Sequence, residues 1–277
     1  MMSFVICSPA IGMTGTRLEV DVHIVTGAIT AVHNLVRCVE NLGIGIRQIV
    51  LEPIASSLAV LSSAEKELGV ILIDIGGGTT DISVFRGGDI WFSKVIPIAG
   101  EHITNDITVG LQTPIEEAEL VKKMHGTALV DTVGEDDKIE VATIGGDEKK
   151  LVSKKRLAKI IEPRIEELLD LAMQEVEDAG YRDLVPAGLV LTGGSSLLDG
   201  LPEFAAQRYD IPVRRGKIPQ GIHGLRDIVE SPIYATSIGL LRYAVETKDF
   251  KKPEFSEPRR GSVIGKLFAW LNRFFRG

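Results

Sequence analysis

"DIGGGTTDISVF" (residues 74–85) places three consecutive glycines between the apolar run at 70–73 and a second apolar segment. An ordered glycine loses more conformational entropy than any other residue, so three in succession require a compensating reason. One reason is a tight hairpin turn, which needs backbone angles that glycine reaches readily. The other is a phosphate group, which can approach backbone N–H groups closely where no Cβ stands. The segment therefore predicts a strand, a turn and a second strand, with or without a bound anion.

The surrounding sequence predicts an α/β fold with a mixed sheet. Before the glycines, "VDVHIVT" (20–26) and "IRQIVLEP" (46–53) have the pattern of strands, the second ended by Pro53, and residues 28–42 and 56–68 have the pattern of helices. Three strands are predicted within residues 69–98. Further on, the pattern predicts a long amphipathic helix (153–179), strands at 188–194 and 211–216, and helices at 197–209 and 233–245.

Composition excludes several classes of protein. The chain has 277 residues, of which 44% are hydrophobic and 25% charged, as in ordinary globular proteins. A net charge of −7 argues against a general nucleic-acid binder. Two cysteines, Cys7 and Cys38, and five scattered histidines favour neither a disulfide nor a structural metal site. No apolar run is long enough to span a bilayer.

A second glycine motif, "LVLTGGSSLLDGL" (189–201), again ends an apolar strand and is predicted to open a helix, where backbone N–H groups favour anions. Either motif alone is equally compatible with a plain glycine turn. Together and in this order, they resemble the second phosphate loop and the adenosine loop of the actin-like ATPase superfamily. The sequence contains neither a Walker A nor a dinucleotide-binding pattern after a strand.

Within that superfamily, the chain resembles the bacterial cell-division FtsA family. The resemblance is carried by "GMTGTRLEVDVHIVTGA" (12–28), "IVLEPIASSLAVL" (49–61), "GVILIDIGGGTTDISVFRGGDI" (69–90), "VIPIAGEHITNDI" (95–107) and "TPIEEAELVKKMHG" (113–126). It implies an actin-like ATPase (ribonuclease-H-like) fold with mixed sheets flanked by helices, and it implies ATP and Mg²⁺ as ligands. At most, a weak Mg²⁺-dependent ATPase activity is expected, because a scaffold needs nucleotide occupancy rather than turnover.

The resemblance also implies a domain layout. The expected first actin-like domain is incomplete at its N-terminus: the resemblance implies a D-x-G-[ST] phosphate loop and a division-specific (SHS2-type) subdomain, and no such segment precedes Met1. The expected parts are the remainder of the first domain (1–68, with 232–245 returning to it), the second domain (69–100 and 187–231), an inserted subdomain (101–186), a disordered linker (246–261) and a C-terminal amphipathic helix (262–277).

Roles for individual residues follow from the same resemblance. Asp74 is expected to hold Mg²⁺ through water, and Glu52 to orient the attacking water, although Glu52 equally suits a turn. The remaining expected contacts are with ATP itself: Gly76, Gly77, Gly78, Thr79 and Thr80 with the phosphates, Glu119 and Lys122 with the ribose, and Gly193, Gly194 and Ser195 with the adenosine. The alternatives are strand propensity for the two threonines and a surface salt bridge for Glu119 and Lys122.

The segment "SVIGKLFAWLNRFFR" (262–276) predicts a helix that lies in the plane of a membrane. At 100° per residue its apolar side chains share one arc, while Lys266 and Arg273 lie on the polar arc facing anionic lipid. The alternative is a helix docked on the protein's own core. The apolar membrane contacts expected are Ile264, Leu267, Phe268, Trp270, Leu271, Phe274 and Phe275.

The combined expectation is a membrane-tethered, ATP-binding scaffold that anchors the FtsZ ring at the division site, on the cytoplasmic face of the bacterial membrane. Its expected partners are the C-terminal peptide of FtsZ, other copies of itself in an actin-like polymer, anionic lipid and other division proteins. A pilus-assembly actin homologue of the PilM type and a small-molecule kinase of the same superfamily remain the alternatives.

Overall fold

The computed structural model describes Thr16 and residues 22–145, 149–218 and 229–247. They belong to two compact units, of which the smaller includes Ile24–Val50 and the larger includes Leu51–Tyr243.

In the smaller unit, helix α1 (Ile29–Asn41) confirms the helix predicted at 28–42. The two predicted strands that flank it are wrong, because residues 22–28 and 45–51 have no regular structure. A strand is stabilised by hydrogen bonds to a neighbouring strand, and within the described residues these segments have no such pairing. No side chain of α1 is buried, and Ile29 and Leu35 are 58% and 60% exposed.

The helices and strands that follow α1 are, in chain order, α2 (Glu52–Val60), α3 (Ser63–Leu68), β1 (Val70–Ile75), β2 (Thr80–Arg86), β3 (Asp89–Ile96), α4 (Gly100–Leu111), α5 (Ile115–His125), β4 (Lys138–Ala142), β5 (Lys149–Ser153), α6 (Lys154–Asp178), β6 (Leu189–Thr192), α7 (Leu201–Tyr209), β7 (Val213–Arg215) and α8 (Ala235–Glu246). Short 3₁₀ turns lie at Val130–Thr132, Arg182–Leu184, Gly194–Leu197 and Pro232–Tyr234.

A five-stranded mixed sheet with the order β3-β2-β1-β6-β7 forms the centre of the larger unit. The first three strands are antiparallel and confirm the prediction for residues 69–98, whereas β6 and β7 run parallel to β1. Every residue of β1 is buried, because helices cover both faces of the sheet. Ile71, Ile73 and Ile75 pack in the core shared with α4–α6, and Val70 and Leu72 pack in the core shared with α2 and α8.

Three predicted boundaries are corrected. Pro53 does not end a strand; it lies in the first turn of α2, where its missing N–H has no consequence. The helix predicted at 56–68 is two helices, because Ser62 caps α3 and forms a reciprocal capping box with Glu65. The helix predicted after Gly194 is a 3₁₀ turn, and α7 begins only at Leu201.

The segment 101–186 combines confirmed and unpredicted elements. Helix α6 matches the predicted range 153–179, with Ser153 as its N-cap. The β4–β5 hairpin was not predicted, because its residues are largely polar and only Ile139, Val141 and Val152 are buried. Helix α4 was also not predicted as an element.

Candidate functional site

Three polar side chains lie in a row where β1 and β6 end. Asp74 of β1 is directly opposite Asp81 of β2 on one side and Thr192 of β6 on the other. Side chains of directly paired residues point to the same face of a sheet, so the row is continuous across three strands. The carboxyl ends of parallel strands are where open α/β sheets bind ligands.

Asp74 is buried, with 7% of its surface exposed. Ser56 of α2 donates a hydrogen bond from Oγ to Asp74 Oδ2 at 2.7 Å. Burial raises the pKa of Asp74 to about 6 despite this hydrogen bond, and the negative charge of Glu52 raises it further. The carboxylate is therefore held in an environment that disfavours its charge, a pattern that is frequent at functional sites.

Asp81 is a site residue that was not predicted from the sequence. Burial, together with the negative charges of Glu52 and Asp74, raises the pKa of its carboxyl to about 7. The signal was present in the motif, because a hairpin that closes at Ile75 and Thr80 necessarily places residues 74 and 81 opposite one another. These carboxylates influence one another without converging. Among the described residues, no group of three or more Asp, Glu, His or Cys side chains is arranged to hold a metal ion.

The glycine turn exposes backbone donors. Gly76 N–H donates to Thr79 O at 3.0 Å, while Gly77, Gly78 and Thr79 are exposed. In the part of the chain that the structure describes, the N–H groups of Gly77 and Gly78 make no hydrogen bond. Two adjacent amides therefore face solvent and are available to an anionic ligand.

The two glycine motifs meet at the carbonyl oxygen of Gly76. This oxygen accepts hydrogen bonds from Gly100 N–H at 3.0 Å and from Ser195 Oγ at 3.1 Å. A Cβ on Gly100 would lie 2.5 Å from Ser195 Oγ and 3.1 Å from that carbonyl oxygen. Gly100 is thus required by a close approach of three segments, which no local sequence signal indicated.

Gly193 also requires glycine. Its φ of +82° favours glycine, and a Cβ there would lie 2.4 Å from Asp74 Oδ1 and 2.5 Å from the carbonyl oxygen of Ile75. The loop that follows is fixed by Arg215, which donates to the carbonyl oxygens of Ser196 (2.6 Å) and Leu198 (3.1 Å). The structure therefore brings Gly193, Gly194 and Ser195 beside the turn of residues 76–79.

The two threonines have different environments. Thr79 is exposed and its hydroxyl is hydrogen-bonded with Asp81. Thr80 is fully buried, and its hydroxyl donates to Ile98 O at 2.7 Å. Thr80 therefore ties β2 to the segment before α4 and does not face the solvent side of the turn.

Glu119 and Lys122 form a partly buried ion pair beside the turn. Lys122 Nζ contacts Gly100 O (2.9 Å), Thr104 Oγ1 (2.7 Å) and Glu119 Oε2 (2.6 Å), so its three N–H bonds each have a partner. Burial acts to raise the pKa of Glu119. Hydrogen bonds from Lys122, Thr104 and Lys123 outweigh burial and lower this pKa to about 2. With 12% of the Lys122 side chain exposed, the pair is not an ordinary surface salt bridge.

Glu52 is the exposed first residue of α2, not the end of a strand as predicted. Thr236 of α8 donates a hydrogen bond from Oγ1 to Glu52 Oε1 at 3.3 Å. Its negative charge raises the pKa of both Asp74 and Asp81.

A sequence profile described as "Cell division protein FtsA" matches residues 71–239, more than half of the chain. The chain belongs to the FtsA family. FtsA of Pseudomonas aeruginosa is 45% identical over 272 residues, covering 96% of this chain and 65% of the relative. FtsA of Escherichia coli strain K12 is 38% identical with the same coverage, and FtsA of Bacillus subtilis is 44% identical over 87% of this chain and 55% of the relative. This chain therefore spans less than two thirds of the length of these FtsA relatives.

Solved structures show that the fold is that of the actin-like ATPases, as predicted. MreB5 of Spiroplasma citri bound to ADP matches with a TM-score of 0.65 at 20% identity, covering 80% of this chain and 67% of that chain. The MamK double helical filament matches with a TM-score of 0.60 at 18% identity, covering 79% and 66%. The PilM–PilN pilus biogenesis complex matches with a TM-score of 0.58 at 19% identity, covering 78% and 58%.

The predicted membrane helix (262–277) lies outside the described residues. The predicted linker (246–261) also lies outside them, apart from its first two residues. Within the described ranges, no helix combines the length and apolar character needed to cross a bilayer.

Proposed function

We propose that this chain binds ATP with Mg²⁺ at the turn of residues 76–79, as the nucleotide-binding part of an actin-like cell-division scaffold. The observation that carries the proposal is the pair of unpaired, exposed amides of Gly77 and Gly78 beside the buried carboxylate of Asp74. Backbone amides without side chains suit phosphate oxygens, and a carboxylate at the adjacent strand end suits a hydrated divalent cation.

The charges of the site make a cation necessary for nucleotide binding. Asp74, Asp81 and Glu52 bring negative charge to the place that the phosphates would occupy, and two of these carboxyls already have raised pKa values. A triphosphate without a cation would add to this repulsion, whereas Mg²⁺ offsets the negative charge of both the carboxylates and the phosphates. Mg²⁺ usually keeps several waters and takes one or two carboxylates, which agrees with the lack of a converging ligand set among the described residues.

The other site residues receive roles that their contacts support. Thr79 adds an exposed hydroxyl to the phosphate turn, while Thr80 anchors the turn through Ile98. Ser195, with Gly193 and Gly194, forms the adenosine side of the site. Glu119 and Lys122 exchange their mutual contact for ribose hydroxyls when the nucleotide enters. Glu52 orients the water of a slow hydrolysis reaction.

A matched pair of glycine substitutions tests the site. Gly78 and Gly27 both have no positive φ, and a Cβ at either position has no atom of the described residues within 4 Å. Gly78→Val is expected to weaken Mg²⁺–ATP binding at least tenfold in calorimetric titration, whereas Gly27→Val leaves it unchanged. Equal ATP affinity in both variants, or full affinity in EDTA, would reject the proposed site.

For the whole protein, we propose that the scaffold polymerises, contacts the FtsZ C-terminal peptide through residues 101–186, and is tethered to anionic lipid by residues 262–277. Membership of the FtsA family supports this function over the pilus-type and kinase alternatives. The proposed location is the cytoplasmic face of the membrane at the division site, with the domain layout given above. Cosedimentation of the chain with a peptide of the FtsZ C-terminus tests the contact. The unaltered chain is compared with variants that are altered at exposed positions within residues 101–186.

A further inference from the structure

Two hydroxyl groups connect the carboxylates of Asp74 and Glu52. Ser56 Oγ lies 2.7 Å from Asp74 Oδ2 and 3.1 Å from Thr236 Oγ1, and Thr236 Oγ1 lies 3.3 Å from Glu52 Oε1. The four residues come from β1, α2 and α8, so this chain of oxygen atoms joins three elements at the site. No role for Ser56 or Thr236 was predicted from the sequence, although Ser56 lies within the motif at 49–61.

The two hydroxyls cannot satisfy all three contacts at once. With both carboxylates ionised, Ser56 and Thr236 supply one proton each for three oxygen–oxygen contacts. The proton of Ser56 is committed to Asp74, which is the shortest contact and has a charged acceptor. Thr236 is left with one proton and two acceptors, Ser56 Oγ and Glu52 Oε1. The chain therefore has two arrangements that differ by the rotation of a single hydroxyl.

Close packing keeps this connection intact. Ser56 is fully buried, and the neighbouring carbonyl oxygen of Ala55 would lie 1.7 Å from a Cβ on Gly239. Helix α8 thus contacts α2 backbone to backbone, three residues after Thr236. Because this contact leaves little room for the helices to slide, the position of Thr236 relative to Ser56 is fixed by the fold.

We infer that Ser56 and Thr236 are positioning residues: Ser56 orients the Asp74 carboxylate for the cation, and Thr236 couples that orientation to the state of Glu52. This inference rests on the proposed Mg²⁺–ATP site. When a ligand draws the Glu52 carboxylate away from Thr236, the proton of Thr236 turns to Ser56. A hydroxyl that accepts a hydrogen bond becomes a stronger donor, so Ser56 then holds Asp74 more firmly. Occupancy at Glu52 and cation binding at Asp74 thereby support one another.

The test measures how much Mg²⁺ is required for half-maximal ATP binding by the full chain. Thr236→Val keeps the shape of the side chain and removes the hydroxyl, while Thr236→Ser keeps the hydroxyl and serves as the matched control. The loss of one hydrogen bond to a positioned group corresponds to about a fivefold to tenfold higher Mg²⁺ requirement. We expect that increase for Thr236→Val and Ser56→Ala, no increase for Thr236→Ser, and unchanged ATP affinity at saturating Mg²⁺.

A double-mutant cycle distinguishes positioning from general loosening of the fold. If Thr236 acts through Ser56, Thr236→Val adds no further Mg²⁺ requirement in the Ser56→Ala background. Additive effects, or an equal loss of ATP affinity at every Mg²⁺ concentration, would overturn the inference. A wild-type Mg²⁺ requirement in Thr236→Val would overturn it while leaving the proposed function intact. Absence of Mg²⁺-dependent ATP binding by the unaltered chain would reject both.

Discussion

Replacement of Asp74 by asparagine is expected to stabilise the folded chain at neutral pH while removing Mg²⁺–ATP binding. Asp74 is buried at the end of β1, and its folded-state pKa is about 6 compared with an ordinary value of 3.8. Asparagine has nearly the same shape and still accepts the hydrogen bond from Ser56 through its amide oxygen. The substitution therefore removes an unfavourable buried charge and preserves the packing.

The magnitude follows from the two pKa values. One pKa unit corresponds to about 1.4 kcal/mol, so ionised Asp74 lowers the free energy of unfolding by about 3 kcal/mol at pH 7.5. Because the folded-state pKa is raised, the folded protein binds this proton more tightly than the unfolded chain does. The destabilisation therefore develops as the pH rises from 3.8 to about 6, and it is only about 1 kcal/mol at pH 4.5.

Urea unfolding of the wild-type chain and of Asp74→Asn at pH 7.5 and pH 4.5 measures the effect. The stability gain of the variant is expected to be larger at pH 7.5 by about 2 kcal/mol. Asp131→Asn, which changes an exposed aspartate in the 3₁₀ turn Val130–Thr132, is the control and is expected to show no such gain. A variant that is less stable than wild type at pH 7.5, or equally stabilised at both pH values, would refute the assignment of a buried, disfavoured charge to Asp74.

Three further outcomes are expected. Gly239→Ala places a Cβ 1.7 Å from a carbonyl oxygen of α2, so the free energy of unfolding of this variant should be about 3 kcal/mol lower than that of wild type. Gly27→Ala should change the free energy of unfolding by less than about 0.5 kcal/mol. Urea unfolding compares the two variants. Glu119→Gln leaves a largely buried lysine without its carboxylate and should lower the thermal midpoint clearly more than Glu140→Gln, which affects an exposed ion pair; similar midpoints would contradict the buried network. Leu267→Glu should release the chain from anionic vesicles in sedimentation assays, with little binding of either form to neutral vesicles; retention of the variant would reject the membrane helix.

The elements that were predicted correctly are those whose cause is local. The strands around the glycine turn and the helix α6 follow from short-range periodicity, capping and turn chemistry, all of which are present in adjacent residues. The failures at 20–26 and 46–53 have the opposite origin, because apolar alternation predicts a strand only where a partner strand is available to pair with it.

For the site as for the fold, residues in contiguous motifs were predicted and residues joined by long-range contacts were not. Asp74, the glycine turn and the loop at Gly193 belong to contiguous motifs, and the structure places them together. Ser56, Gly100 and Thr236 were missed because each acts through residues distant in sequence, such as the hydroxyl contact between positions 56 and 236. Such contacts depend on the packing of α2, α4 and α8 around the sheet, which no single segment encodes.

The end of β1 concentrates features that reduce the stability of the fold. Asp74 and Asp81 are buried with raised pKa values, and the buried hydroxyl of Thr192 has no hydrogen-bond partner in the described part of the chain. Each of these features costs free energy, and the buried apolar residues on both faces of β1 offset that cost. Valine at position 192 would fill the same space without a buried, unpaired hydroxyl. Since local conflicts with folding rules are expected where a site binds ligand, the row Asp81–Asp74–Thr192 is best explained by the cation and phosphates proposed to lie above it.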